Sequence, residues 1–550
     1  MRMTTRLLIC AVVALFAIPI VLLLYTFEAF DYFVPPFAGK EEERSYGVIC
    51  DAGSTGTRLF VYSWTSSSDA EMIKIEPVMF EGRPVMKKVT PGLSSFADNP
   101  SAATEYIRPL LDFASLHIPA EHRPFTPVFI FATAGMRLLP DEKKKAILDN
   151  LHSHLPTITE MQVMKEHIRV IEGKWEGIYS WIAVNYILGK FNLQSNGSMD
   201  FPGTSQSQVR PKTVGMVDMG GASVQIAFEL PQNSPFLSEN VENVNLGCHD
   251  DDPKFKYKLF VTTFLGYGVN EGLRKYEQKL SDEVRLINGS VIQDACMPLN
   301  LHKTVEREDK SMFVRRGSGN WTSCVEKLTT LIHPTVEEAI NKCLSQCYFG
   351  SVAAPEIKLS DMEIYGFSEY WYSHQDVLGL GGLYNQSMIA KKSQLFCSQR
   401  WSTIQAAAKK LFYPKADDER LRTQCFKSAW VSAILHTGFS VDRTKNRFQS
   451  ALTIAGQEVQ WALGAMIYHM RFFPLRDSAT NLTVARHPVA NSWWIATPIL
   501  LLLIVVSVLT FAWLSSKSVR PRPGLFRNAY SYKLLTNEFI GAPAFSPSLA

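Results

Sequence analysis

The sequence predicts an α/β protein of two related lobes with a cleft between them, flanked by two segments able to cross a bilayer. Three observations carry this. Strand-like apolar runs alternate with helical periodicity from Tyr46 onward, the pattern of layered α/β folds. Asp51-x-Gly53 opens a turn between two apolar strands, and Asp218-x-Gly220 repeats it 167 residues later. Two runs, Leu7–Tyr25 with 19 residues and Trp493–Leu514 with 22, carry no charge and are each long enough for a membrane helix.

The flanking charges orient those two runs. Arg2 and Arg6 precede the first, while Glu28, Asp31 and Glu41-Glu42-Glu43 follow it. Lys517, Arg520, Arg522 and Arg527 follow the second. By the positive-inside rule residues 1–6 and the tail 515–550 are cytosolic, and everything between the spans is lumenal or extracellular. Trp493 and Trp494 sit where an interfacial anchor belongs. A cleaved signal peptide is the alternative for the first run. Its apolar core exceeds the usual ~7–15 residues, and no small-x-small site follows Tyr25.

Cysteines and sequons agree with that topology. Of nine cysteines, Cys10 lies in the first span and Cys50 in an apolar strand, where it is expected free. The other seven fall between Cys248 and Cys425, a cluster that suits disulfides in an oxidising compartment. Cys343-x-x-x-Cys347 has no second Cys or His pair beside it, which argues against zinc. Asn-x-Ser/Thr sequons at Asn196, Asn288, Asn320, Asn385 and Asn481 all lie between the spans, as glycosylation sites would. A formal net charge of +4 without any basic run gives no footing for nucleic acid.

Residues 26–45 read as a stalk. The region between the spans, about 465 residues, exceeds what one core usually organises. The expected division is lobe I over 46–172, completed by about 460–485, and lobe II over 173–459, which carries the disulfides. In lobe I, strands are expected at Gly47–Ile49, Arg58–Trp64 and Ile73–Met79. Pro127–Pro140 reads as a buried strand, a Thr/Gly loop and a helix start. Asp141–His154 is helical, with Ile147, Leu148 and Leu151 on one face. Trp175–Gly189 is a second helix, opening at Glu176-Gly177. Thr213–Leu230 repeats strand, tight Gly turn and strand, after a Ser/Gln/Gly-rich loop at 192–211.

The two turns have more polar chemistry than a hairpin needs. Gly, Ser and Thr present backbone N–H groups with little bulk, and such concavities bind phosphate oxygens. Ser54, Thr55, Gly56, Thr57 and Arg58 offer donors from the first turn. Gly220, Gly221, Ala222 and Ser223 offer them from the second. Facing each other, they could hold a chain of two or three phosphates. The bland alternative is an ornate hairpin with Asp as a turn residue. Beside a polyphosphate, Asp51 and Asp218 make sense with a divalent cation between, held partly through water; two N–H-capping turn aspartates with no ion are the alternative. Thr133 and Arg137 follow a buried strand, at the sheet end where ligands gather. Thr133 could orient water and Arg137 could stabilise charge; a capping Thr and a surface Arg are the alternatives. Glu176, at a helix start, is either a carboxylate stabilised by free N–H groups, its pKa lowered, or a general base. The Walker loop and the Gly-x-Ser-x-Gly elbow are both absent.

Five stretches in order resemble the nucleoside triphosphate diphosphohydrolases, or apyrases. They are DAGSTGTRLFVY (Asp51–Tyr62), FATAGMRLL (Phe131–Leu139), WEGIYSWIAVNYILG (Trp175–Gly189), VDMGGASVQIAFE (Val217–Glu229) and QEVQWALGAMIYH (Gln457–His469). The resemblance spans about residues 46–470. It implies an actin-like (RNase H-like) duplicated fold and metal-dependent hydrolysis of terminal phosphates, with Ca²⁺ or Mg²⁺. It implies Glu176 as general base and Thr133 positioning the water. Asp51, Asp218 and Gln225 would form the metal shell, largely through water. Ser54–Arg58, Ala134, Gly135 and Gly220–Ser223 would cradle phosphates, and Tyr370 or Tyr372 would stack on the base. It implies the pairs Cys296–Cys324, Cys343–Cys347 and Cys397–Cys425. No Cys lies between Cys50 and Cys248, where many cell-surface members carry a disulfide. The chain thus looks most like the two-span endomembrane apyrases of the Golgi and lysosome, associated with nucleoside diphosphates such as UDP and GDP. The cell surface is the other location, and the two spans could also pack between subunits of a homo-oligomer. A membrane-anchored nucleotide sensor without turnover is the rival reading.

Overall fold

Arg44–Ala52 (β1) and Thr57–Thr65 (β2) form an antiparallel hairpin, buried over nearly its whole length. Such strands need apolar residues on both faces, and Val48, Ile49, Leu59 and Val61 supply them. Met86–Val89 (β3) and the short Glu76–Pro77 lie outside β2. On the other side β1 pairs in parallel with Pro127–Ala132 (β4), and β4 with Gln162–Val170 (β5). The second sheet repeats the plan. Gly215–Met219 (β6) and Ser223–Glu229 (β7) form the hairpin, and Lys256–Leu265 (β8) lies outside β7. Glu363–Ser368 (β9) pairs in parallel with β6, and Arg447–Ser450 (β10) with β9. The computed structural model describes residues 44–65, 72–192, 194–195, 208–247, 253–286, 290–307, 309–332 and 347–472, together with 506, 509, 510 and 513.

Helices cover both sheets. Ala103–Ser115 (α1) and Asp141–His154 (α2) seal the outer face of the first with Ile107, Leu111, Ile147 and Leu151. Gly173–Ile187 (α3) is apolar on most of its surface, as a helix enclosed by layers must be, and it packs against the second sheet. Val269–Leu286 (α4) and Asp418–Ala433 (α5) share the outer core of the second sheet with the disulfide-bearing region. Trp461–Met470 (α6) returns to lie against α3 and β1. The two helices touch at backbone distance: a Cβ on Gly464 would come 1.9 Å from the Tyr179 carbonyl oxygen.

Several expectations change here. Only Glu76–Pro77 of the Ile73–Met79 run pairs with β2, and the chain then turns out into the hairpin Met79–Phe80 with Arg83–Pro84. The helix expected to open at Glu176 opens at Gly173. The charged strand β5 was missed, because Gln162–Val170 lacks apolar alternation. Cys50 is buried and free, and Cys296–Cys324 and Cys397–Cys425 are disulfides. Cys347 is disulfide-bonded; its expected partner Cys343, like Cys10 and Cys248, lies outside the described residues. So do Asn196, Asn288 and Asn481. Asn320 and Asn385 are exposed and cap the helices that follow, accepting from Ser323 N at 3.1 Å and Met388 N at 3.0 Å.

The chain divides into two units, Met1–Ser478 and Ala479–Ala550. In the second, Val506, Leu509, Thr510 and Trp513 are helical. Among the described residues no helix is long and apolar enough to cross a membrane. Both candidate spans otherwise fall outside those residues.

Candidate active site

The two hairpin turns close in the same way. Gly53 N donates to the Gly56 carbonyl at 3.0 Å, and Gly220 N donates to the Ser223 carbonyl at 3.0 Å. Asp51 faces Arg58 across its hairpin, and Asp218 faces Gln225 across the other. The turns also touch: a Cβ on Gly221 would come 2.8 Å from Ser54 Oγ. A third element joins them where β4 ends. Thr133 N donates to the Ala52 carbonyl at 3.1 Å, tying that end to β1. The short helix Ala134–Arg137 then lies beneath Ser54, and a Cβ on Gly135 would come 2.7 Å from Ser54 Cα.

Glu176 arrives from α3, and two glycines seat it. Gly173 and Gly177 lie one turn apart on the helix face toward β8. A Cβ on Gly173 would come 2.3 Å from Thr263 Cγ2, and one on Gly177 would come 2.9 Å from Val261 Cγ2. The close approach brings the first turn of α3, and Glu176 with it, against the second hairpin.

These elements enclose a cavity of about 360 Å³. Of the expected residues, Asp51, Ser54, Thr55, Gly56, Arg58, Thr133, Ala134, Glu176, Asp218, Gly220, Gly221, Ala222, Ser223 and Tyr372 line it. Four do not. Thr57 is fully buried, with its hydroxyl 3.0 Å from Tyr106 Oη. Gly135 supports Ser54 from behind. Gln225 is buried, and its amide donates to Ser223 Oγ at 2.7 Å and Thr263 Oγ1 at 3.1 Å. Tyr370 is fully buried against Phe448, so Tyr372 is the tyrosine of that pair open to the cavity.

The wall also includes Lys88, Ser180, Asn270, Ser368, Glu369, Arg420, Lys427, Glu458 and Trp461, which sequence reasoning did not single out. Ser368 ends β9 at φ 57°, ψ −118°, a backbone region that non-glycine residues avoid. Its side chain bonds Asp218. Arg420 lies 5.2 Å from the Tyr372 ring centroid and pairs with Glu369 at 3.5 Å. Ser180, Glu458 and Trp461 lie within two of the five apyrase-like stretches without standing out there, and the others are scattered over the fold: Lys88 on β3, Asn270 on α4, Ser368 and Glu369 at the end of β9, and Arg420 and Lys427 on α5.

The electrostatics are those of crowded carboxylates. Burial pushes the Asp51 carboxyl up to about 7; Arg58, 4.0 Å away, opposes this, while Glu176 and Asp218 add to it. Burial also raises Asp218, against its bond from Ser368 and the charge of Arg58. Glu176 is raised chiefly by burial and further by Asp218. The Arg137 guanidinium opposes both, with Nη2 donating to Glu176 Oε2 at 2.7 Å. The lowered pKa expected from free helix N–H groups is therefore overturned: leaving water outweighs the helix terminus. Arg137 Nη2 also reaches Ser223 Oγ at 3.4 Å, linking the base to the second turn.

The residues present suit a divalent cation. Asp218 Oδ1 is buried without a hydrogen-bond partner, and Asp51 stands at the same cavity wall. Among the described residues no group of three or more His, Cys, Asp or Glu is placed to hold a metal. Two carboxylates with the remaining positions left to water and phosphate oxygens is the Mg²⁺ pattern. Gln225 is turned into its own hydrogen bonds, 3.4 Å from Glu176 Oε2, and orients the base from behind.

Comparison with known proteins gives the same picture. The profile of the GDA1/CD39 (nucleoside phosphatase) family matches residues 38–485. Nucleoside-diphosphatase mig-23 of Caenorhabditis elegans is 60% identical over 544 residues, covering 97% of this chain and 98% of that protein. Nucleoside-triphosphatase ntp-1 of the same organism is 43% identical over 484 residues, 88% of this chain and 83% of that one. Among solved structures, that of nucleoside triphosphate hydrolases from Neospora caninum superposes with a TM-score of 0.54 at 15% identity, over 78% of this chain and 93% of that one. That likeness supports the two-lobed actin-like fold.

Proposed function

We propose a reaction and a setting for this chain, which belongs to the GDA1/CD39 (nucleoside phosphatase) family and is a nucleoside di/triphosphate phosphohydrolase: it removes the terminal phosphate of nucleoside diphosphates foremost, in the lumen of the Golgi or a related endomembrane. The diphosphate preference rests on the relative at 60% identity, which is named a nucleoside-diphosphatase. UDP and GDP are the substrates expected beside lumenal glycosyl transfer. The lumenal setting rests on the flanking charges, on two disulfides within the second lobe and on exposed sequons at Asn320 and Asn385. The cell surface is the competing location.

One observation carries the mechanism: Glu176 sits between the two Asp-x-Gly turns, ion-paired to Arg137 at 2.7 Å. The turns receive the phosphate chain. Ser54, Thr55 and Arg58 donate from one side; the backbone N–H groups of Gly221 to Ser223 donate from the other. Tyr372, backed by Arg420, receives the base. Glu176 takes a proton from water held between it and Thr133, and the water oxygen attacks the terminal phosphorus. Arg137 favours the carboxylate form of Glu176 against its burial, and Gln225 fixes its direction. Asp51 and Asp218 would hold Ca²⁺ or Mg²⁺, which when bound neutralises charge on the phosphate oxygens. Donors already in place supply much of the rate, since they need no reorganisation as charge moves to the leaving oxygen.

The test is phosphate release by the full chain from UDP, GDP, ADP, UTP and ATP, with Ca²⁺ or Mg²⁺ and with chelator. Diphosphates should be hydrolysed fastest and chelator should abolish turnover. Glu176→Gln should lower kcat by about 10²–10⁴-fold with KM little changed. Full turnover in that variant would remove Glu176 as base. Turnover in chelator would remove the metal.

A further inference from the structure

The first sheet has two ends, and they differ in chemistry. At the end where β1 finishes, Asp51 and its turn line the active cavity. At the end where β1 begins, the chain enters at Arg44, and seven strand residues at ~3.3 Å each separate the two. The entry end presents large apolar side chains, with Glu81, Arg83 and Glu121 exposed among them. The segment Ala120–Phe125 leads into β4 beside the start of β1, with the His122 ring 5.2 Å from Tyr46. Phe125 is 77% exposed there. Leu116, just beyond α1, is 81% exposed. Met79 and Phe80, on the hairpin that turns away from β2, are 55% and 56% exposed. A shallow groove joins Met79, Phe80, Leu116 and Arg123 into one surface, and Phe80 stacks edge-on against His117 at 4.9 Å. Single exposed apolar residues are ordinary; three large ones lining one groove, with Phe125 two residues beyond Arg123 of its wall, are not.

We infer that this apolar surface of Met79, Phe80, Leu116 and Phe125 rests in the lipid interface and holds the first lobe on the bilayer with its cavity turned away. The inference depends on the anchored reading given above. What identifies lipid as the occupant is where the chain enters. Eighteen residues, 26–43, separate the uncharged run ending at Tyr25 from β1. Extended at ~3.3–3.6 Å per residue they reach at most about 65 Å, so the entry end of the sheet lies within that distance of the membrane. A tether that long does not choose an orientation by itself. An apolar face beside the entry point does, by leaving water for the boundary between headgroups and acyl chains. Of the cations nearby, Arg123 pairs with Glu160 at 3.3 Å and Lys87 donates to the Pro109 carbonyl at 2.9 Å, while Arg83 is exposed two residues from the exposed Glu81. The attachment is carried by the apolar contact, and a zwitterionic bilayer is the surface that isolates it. The consequence for function is access, because substrate reaches the cavity from the lumen without meeting the membrane.

The test uses the full chain, one copy per phosphatidylcholine nanodisc, with an environment-sensitive fluorophore on Leu116→Cys or Phe125→Cys. The comparison is Asp98→Cys, exposed near the cavity end of the same lobe. Labels at 116 and 125 should shift to the blue and be quenched by a lipid-borne spin label, while the label at 98 stays in water. Equal water exposure at all three sites, with the chain retained in the disc, would overturn the contact and leave the anchors standing. A chain that separates from the disc would overturn both. Shielding at 116 that persists in detergent and scales with protein concentration would assign the surface to a second copy and overturn the lipid assignment.

Discussion

The two Asp-x-Gly hairpins share a backbone and differ in what they bring to the cavity. Offsetting by 167 residues, Asp51 corresponds to Asp218, Gly53 to Gly220, Ser54 to Gly221, Thr57 to Val224 and Arg58 to Gln225. Turn closure is the same in both, Gly N–H to the carbonyl three residues on at 3.0 Å. The first hairpin sends side chains into the cavity, with Ser54, Thr55 and Arg58 on its wall. The second offers mainly backbone, and turns Gln225 backward to the base. Duplication therefore built the scaffold twice, and divergence at a few positions divided the labour: one turn grips phosphate with side chains, the other with backbone while its strand positions Glu176. Gly221 marks the division, because only a residue without a side chain lets Ser54 come so close.

The largest expected effect comes from making the first turn resemble the second. Arg58→Gln removes the cation opposite Asp51 and should cost about 10²–10³-fold in kcat/KM, the scale for losing a preorganised donor. It also removes the charge that restrains the Asp51 pKa, so the remaining activity should require higher pH. A loss under tenfold would mean that Arg58 is a surface cation and that the turns are not specialised. Next is Gly221→Val. Its branched side chain meets Ser54 Oγ and Asn270 Nδ2, each 2.8 Å from the new Cβ, and should push the turns apart. A displacement near 1 Å should cost about 10²-fold in kcat/KM. An unchanged melting temperature in the same variant would locate the damage in alignment, and unchanged activity would show that the turns need not touch.

That the hairpins were legible in sequence, while the rest of the wall was not, has a physical reason. A phosphate-binding turn concentrates its chemistry in six consecutive residues, and its glycines and hydroxyls cannot be mistaken for core. Thr133 and Glu176 are legible as polar residues interrupting apolar runs. Ser368, the Arg420 and Lys427 of a single helix, and Trp461 are separated from one another by tens of residues and look like an ordinary loop Ser, helix surface cations and a core Trp. Only the tertiary fold brings them to one cavity. Gln225 and Thr57 misled in the opposite direction. Thr57 sits next to Arg58 in its strand and so faces the opposite side, where it finds a buried partner, whereas Gln225 shares the face of Asp218 and Ser223 but has its amide taken up by Ser223 and Thr263. The Glu176 pKa misled because helix position is visible in sequence and burial is not.

Arg137→Gln sharpens the role of the second turn. Arg137 lowers the Glu176 pKa that burial raises, so its removal lets that pKa climb further. The base form then appears only at higher pH, and the acidic limb of the kcat/KM profile should move toward alkaline values. At neutral pH the loss should be about 10-fold to 10²-fold, recovering in part as pH rises. A uniform loss with an unmoved limb would assign Arg137 to the leaving charge and not to the base.

Thr57→Val has the smallest expected effect, and it converts the first hairpin to the residue the second already carries. The sequence places Thr57 among the phosphate donors; the fold buries it under α1 beside Tyr106. The Pro91 carbonyl can only accept, so Tyr106 donates there and the Thr57 hydroxyl donates to Tyr106. Valine nearly matches threonine in volume and branching, so packing survives, and Tyr106 keeps its bond to Pro91. Only the Thr57 bond is lost, which should cost about 1 kcal/mol of stability or less in a denaturant titration. Because β-branching suits a strand equally in both residues, the hairpin register should hold, and kcat/KM should stay within twofold. A tenfold fall would mean that the first hairpin turns this hydroxyl to phosphate when substrate binds. The two hairpins would then differ at one more position in what they grip, and the division of labour would begin one residue earlier in the strand.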